Sequence, residues 1–83
     1  MSQEKIKDTL KSFGLTGKEA EAYIVLAKSG PLTGNDLSRI MDRNKGQVYR
    51  LLKSLQKRGL VESTLESPTR FLAVSFEKAL ISV

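Results

Sequence analysis

Residues 44–59, NKGQVYRLLKSLQKRG, admit little except a helix that carries its own start and stop. Asn44 is suited to cap the first turn by accepting from an orphan backbone N–H, with Gln47 three residues on to reach back. Gly59 stands where helices commonly turn left-handed and end. Val48, Leu51, Leu52 and Leu55 fall at i, i+3, i+4 and i+7, one apolar stripe that must face a core. The opposite side carries Lys45, Gln47, Arg50, Lys53, Ser54 and Lys57. Between positions 43 and 58 stand six basic residues, Arg43, Lys45, Arg50, Lys53, Lys57 and Arg58, and no acidic one. The whole chain is only +5, so the rest of it sums to −1. Positive charge is thus concentrated on one element, the pattern of a helix laid against nucleic-acid phosphates. An ordinary solvated helix face mixes both signs.

Eighty-three residues make one small domain with a modest core. The chain has no Cys and no His, which excludes disulfide staples, thiol chemistry and zinc-finger ligand sets, and removes the usual general base. No apolar run approaches the roughly 20 residues that span a bilayer, and the N-terminus MSQEKIKD lacks a signal-peptide apolar region. A cytoplasmic protein without membrane association is expected. A pI near 9.8 fits an anionic partner.

In chain order, residues 3–13 read as a first helix with Ile6, Leu10 and Phe13 on one stripe, ended by Gly14. Thr16-Gly17-Lys18-Glu19 is a capping box opening a second helix, residues 17–29, that buries Ala20, Tyr23 and Ala27 with Ile24 or Leu26. Gly30-Pro31 ends it, and Leu32 suits a short extended piece. Thr33 and Asp36 repeat the start signal for a third helix, residues 34–41, with Leu37, Ile40 and Met41 inward. Asp42-Arg43 is the turn into the basic helix, residues 45–58. Two β-rich runs, 60–65 and 69–74, flank Glu66-Ser67-Pro68 and read as a hairpin, with Phe71 and Val74 toward the core. Ser75 caps a last helix from about residue 76. That segment carries no stop signal, so the chain reads either as complete or as the N-terminal part of a longer protein.

A short helix, a tight turn, a basic helix and a hairpin make a mainly α winged helix-turn-helix. In helix-turn-helix proteins the second helix of the pair enters the major groove and its first residues meet base edges. Here these are Asn44, Lys45, Gly46, Gln47 and Arg50. Gln matches adenine and Arg matches guanine through paired hydrogen bonds. Gly46 costs a helix about 1 kcal/mol relative to Ala, and is read either as close backbone approach to DNA or as a tolerated residue in a frayed first turn. Lys18, Arg43, Tyr49, Lys53, Ser54 and Lys57 are the candidate phosphate contacts, which position without reading sequence. Tyr49 borders the apolar stripe, so packing at the core edge competes with a phosphate contact. The wing tip offers Ser67, Thr69 and Arg70 to a minor groove or a phosphate, although Glu62 and Glu66 weaken its field.

The segments FGLTGKEAEAYIVLAKSGPLT, VYRLLKSLQKRGLVE and SPTRFLAVSFEKAL resemble the N-terminal DNA-binding domain of the TrmB-like transcriptional regulators. The distinctive parts are GLT-x-x-E-A-x-x-Y over 14–23, Val48-Tyr49, and Pro68-x-Arg70-Phe71. The resemblance implies a winged helix-turn-helix regulator of largely archaeal kind, binding double-stranded DNA as a homodimer through its first or last helix. Many such regulators answer to sugars. The region that binds sugar in that family follows this domain and is absent here, so no small-molecule effector and no cofactor is expected of these residues. Three positions depart from the family pattern. Arg43-Asn44 replace an apolar residue followed by Pro, and Gly46 replaces Ser or Thr.

Two other readings compete. A winged helix can serve as a protein-binding scaffold, and fold does not fix function. A protein-binding module, however, has no need of six basic residues without an acid. Non-specific binding to duplex DNA also fits the charge, whereas the scarcity of aromatic residues on the basic face argues against single-stranded targets. Catalysis finds no clustered carboxylate pair and no Gly-rich phosphate loop, and the Thr-x-x-Glu motif is a cap.

Overall fold

The start signals in the sequence become helix N-termini in the computed structural model, which describes residues 3–75. In order the elements are α1 (Gln3–Ser12), α2 (Gly17–Ser29), β1 (Leu32–Thr33), α3 (Gly34–Met41), α4 (Lys45–Lys57), β2 (Val61–Ser63) and β3 (Arg70–Ala73). Before α2, the Thr16 hydroxyl accepts from the Glu19 N–H at 3.1 Å, and the Glu19 carboxylate accepts from the Thr16 N–H at 2.8 Å. Thr33 and Asp36 repeat the arrangement before α3, at 3.1 and 3.3 Å. Before α4 only half of it forms. Asn44 Oδ1 accepts from the Gln47 N–H at 2.9 Å, but the Gln47 side chain does not complete the box. It lies instead on the helix surface.

The end of α4 follows its sequence signal. Gly59 sits at φ 77°, its N–H donates to the Gln56 carbonyl, and the Leu60 N–H donates to the Leu55 carbonyl, each at 3.0 Å. These two bonds satisfy the last carbonyls and swing Leu60 back into the core.

That core lies where α2, α3 and α4 meet. Val48, Leu52 and Leu55 of α4 pack with Leu26 of α2 and Leu37 of α3, all essentially without solvent contact. The burial of an apolar stripe, rather than propensity, holds such short helices. Some expected core positions fall outside. Leu51 is half-buried, and Ala27 and Ile40 are exposed. The eight-residue α3 buries a narrow stripe, Leu37 and Met41, against α4. Among the described side chains of α1 only Leu10 is buried, and the helix packs chiefly on α2. Ile6 is 37% and Phe13 52% exposed.

The strands form one antiparallel sheet in the order β1-β3-β2. Leu32 pairs with Phe71 and Thr33 with Arg70 on one side of β3, and Val61 pairs with Ala73 on the other. The extended piece at Leu32 thus becomes a third strand. Strands expected over 60–65 and 69–74 are shorter than the sequence suggests, since residues 64–69 are given over to the wing tip. There the Thr64 hydroxyl accepts from the Arg70 N–H at 3.0 Å, and the Ser67–Pro68 peptide is cis. The Tyr23 hydroxyl donates to the Val74 carbonyl at 2.6 Å and ties α2 to the end of β3. Helix, turn, helix and hairpin follow one another as expected. The helix expected from residue 76 lies outside the described residues.

Candidate nucleic-acid interface

The apolar stripe of α4 decides which side chains are left outward. Lys45, Gly46, Arg50, Lys53 and Lys57 are exposed, and Gln47 and Arg43 are half-buried beside them. None of the five cations Arg43, Lys45, Arg50, Lys53 and Lys57 makes an ion pair with a described residue. Arg50 Nε reaches only the Gly46 carbonyl, at 3.5 Å. Arg43, Gln47 and Arg50 join Lys18 from the start of α2 and Leu51 around a groove of about 180 Å³. Lys18 and Arg50, 32 positions apart in sequence, thereby become one surface. Lys45 faces a second depression, shared with Asn35, Ser38 and Arg39 of α3. There Arg39 is already paired with Asp36 at 2.7 Å.

One of the expected reading residues is partly committed to the fold. Asn44 spends its side-chain oxygen on the cap. At Gly46 an added Cβ would meet only that oxygen, at 3.4 Å, so packing does not demand a glycine there.

Ser54, expected among the phosphate contacts, is half-buried, and its hydroxyl donates to the Glu19 carboxylate of α2. Arg58 turns the same way, with Nε 3.6 Å from the Glu19 carboxylate and Nη2 donating to the Gly14 carbonyl at 3.1 Å. The acid missing from the basic helix is thus supplied from α2, and it serves Ser54 and Arg58 rather than the outer lysines. Burial of Glu19 pushes its carboxyl up, but the Ser54 hydroxyl, the Thr16 N–H and the Arg58 charge together outweigh burial and hold it below the ordinary carboxyl range. Sequence reading assigned Glu19 one role, as a cap. A carboxylate has two oxygens, and the second was available to a neighbouring helix.

Tyr49 stands at the boundary between the two faces. Its ring meets Phe71 edge-on, with centroids 6.1 Å apart at 75°. It also lies directly over Gly34, where a Cβ would come within 2.6 Å of the ring and hydroxyl. The residue is 45% exposed, and its hydroxyl bonds to no described residue.

In the wing, Ser67, Thr69 and Arg70 are all exposed. The Thr69 hydroxyl donates weakly to the Glu66 carbonyl at 3.5 Å, and Arg70 sits in β3 opposite Thr33. Among the described residues no helix is long and apolar enough to cross a membrane, and no three His, Cys, Asp or Glu side chains gather as a metal site.

Residues 10–77 match the family described as sugar-specific transcriptional regulator TrmB. The chain is 32% identical over 80 residues to the HTH-type sugar sensing transcriptional regulator TrmBL1 of Pyrococcus furiosus, covering 96% of this chain and 24% of that protein. Among solved structures it is similar to TrmBL2, an archaeal chromatin protein with a novel mode of DNA binding. That likeness has a TM-score of 0.84 at 26% identity and covers 99% of this chain and 32% of the other. MepR of Staphylococcus aureus, in complex with DNA, shares the fold at a TM-score of 0.71 and 19% identity, covering 96% and 62%. The chain spans about a quarter of the curated relative and a third of TrmBL2.

Proposed function

From the premise that the chain belongs to the TrmB family of transcriptional regulators, we propose that it reads a specific sequence in double-stranded DNA with α4 in the major groove. The family and the winged-helix fold are those of DNA-binding transcriptional regulators and not of enzymes. The finer reading rests on one observation, a cationic face on α4 that has no internal counter-charge and lies opposite a fully buried stripe. In this reading Gln47 and Arg50 meet base edges, with Asn44, Lys45 and Gly46 at the same end of the helix. Lys18, Arg43, Lys53 and Lys57 carry phosphates, Tyr49 lies at the rim, and Ser67, Thr69 and Arg70 present the wing. Ser54 is left out, since its hydroxyl is engaged by Glu19.

A homodimer and a cytoplasmic location belong to the same proposal. The exposed Ile6 on α1 and Phe13 just after it support the dimer by leaving apolar surface at the helix the resemblance assigns to it.

The test is binding of the purified chain to duplexes from upstream of its own gene against random competitor, across a salt series. A steep salt slope with preference for a near-palindromic site supports the reading. A steep slope without preference reduces it to general duplex binding. No binding at low salt overturns it and favours a protein-binding scaffold.

A further inference from the structure

Two lysines of α1 converge on the first turn of α2. A Cβ built on Gly17 would lie 3.5 Å from Lys11 Cε, 3.9 Å from Lys11 Nζ and 4.0 Å from Lys7 Cε. Both side chains therefore end over the same stretch of backbone. The neighbouring residue, Lys18, lines the groove that reaches Arg43, Gln47 and Arg50.

Among the described residues no acid pairs with this group. Lys7, Lys11 and Lys18 make no ion pair with any described residue. Asp8, one turn before Lys11, does not pair with it, and the Glu19 carboxylate is turned toward Ser54 and Arg58. Like charges brought together at a helix start, where the backbone is itself positive, raise the energy of the free protein. An anion laid across them reverses the sign of that term.

We propose that the DNA-binding surface extends from α4 through Lys18 to Lys7 and Lys11, so that α1 holds duplex phosphates outside the groove occupied by α4. Continuity decides the partner. A small phosphate would need only one cluster, whereas a duplex, with one negative charge per about 1.7 Å of its axis, offers a continuous row of phosphates to cations strung along a surface. The proposal rests on the reading of α4 as a DNA-binding helix and adds a second contact to it.

The experiment measures binding to a random-sequence 30-base-pair duplex between 50 and 200 mM salt. Each phosphate contact contributes about 0.9 to the slope of log affinity against log salt. Lys7→Gln with Lys11→Gln is expected to lower the slope by about 1.8, which makes the fourfold rise in salt about tenfold less costly than for the unaltered chain. Lys28→Gln, a lysine at the far end of α2, is expected to leave the slope unchanged. Gln is a good helix former, so α1 is retained, and thermal melts by circular dichroism check this. An unchanged slope for the double variant, with Arg50→Ala and Lys53→Ala still weakening binding, overturns this proposal alone. A slope lowered equally by Lys28→Gln overturns it too, since total charge would then explain the effect. If Arg50→Ala and Lys53→Ala also have no effect, the reading of α4 itself has failed.

Discussion

At Gly46 a methyl group would touch nothing but the cap oxygen of Asn44. Gly46→Ala is therefore expected to raise stability by up to about 1 kcal/mol through helix propensity. In the proposed reading the same substitution is expected to weaken duplex binding severalfold, because it adds a methyl where the backbone would face the DNA. Urea melts and a binding titration on one sample check both halves, and unchanged binding would remove close backbone approach from the account. Gln47→Ala and Arg50→Ala are each expected to cost about 1–3 kcal/mol at a preferred site and to relax base preference there. Lys53→Ala should weaken all sequences alike and flatten the salt slope by about one. A panel of single-base-pair substitutions distinguishes the two behaviours. Equal losses on every sequence would remove Arg50 from the readers.

Between elements, two contacts set how α4 sits. Tyr49 lies against Gly34 of α3 and Phe71 of β3. Gly34→Ala is expected to cost about 1–3 kcal/mol, by overpacking against the ring. Combining it with Tyr49→Ala should cost less than the sum of the two single changes, since the clash then has no partner. Additive losses in denaturant melts would show that the contact is not the cause. The second contact is Glu19 with Ser54 and Arg58. The folded carboxyl lies below its usual value near 4.5, so it stabilises the fold at neutral pH, and that stability is lost as pH falls below 4.5 through the folded value. Asp36, lowered by its bonds to Thr33 and by Arg39, acts in the same direction. Glu19→Gln is thus expected to be less stable at pH 7 and to lose less on acidification to pH 3, as melting temperatures across that range would show.

These contacts also mark what the sequence could and could not disclose. The caps of α2 and α3, the stripe of α4 and its stop at Gly59 depend on partners within a few residues, and all are legible. Glu19 meets Ser54 across 35 positions, and Tyr23 meets Val74 across 51. No local spacing encodes either. For that reason Ser54 and Arg58, polar residues beside a basic face, read as part of it until the neighbouring helix is in place. The missing return bond from Gln47 has a related cause. Both Gln and Glu fit the box pattern, and the pattern does not say whether the side chain has something else to face.

On the scale of the molecule, α1 is the least integrated element described, with Leu10 its one buried apolar residue. If a homodimer forms through it, Ile6→Asp should convert dimer to monomer in light scattering without unfolding the chain, because Ile6 contributes little to the chain's own core. A chain monomeric before the substitution would remove α1 as the interface. Two α4 helices set by such a dimer would face half-sites about one helical turn of DNA apart.

Lys45, Arg50 and Lys53 point away from every contact that holds the chain together, while Val48, Leu52 and Leu55 on the same helix hold it. If α4 reads DNA as proposed, a lineage can change its operator by exchanging outward residues one at a time, each intermediate still folded. Tyr49 is the exception. A side chain at position 34 fits only if the ring at position 49 shifts or is lost, so substitutions at these two sites are coupled, and a change at one costs less where the other has already moved.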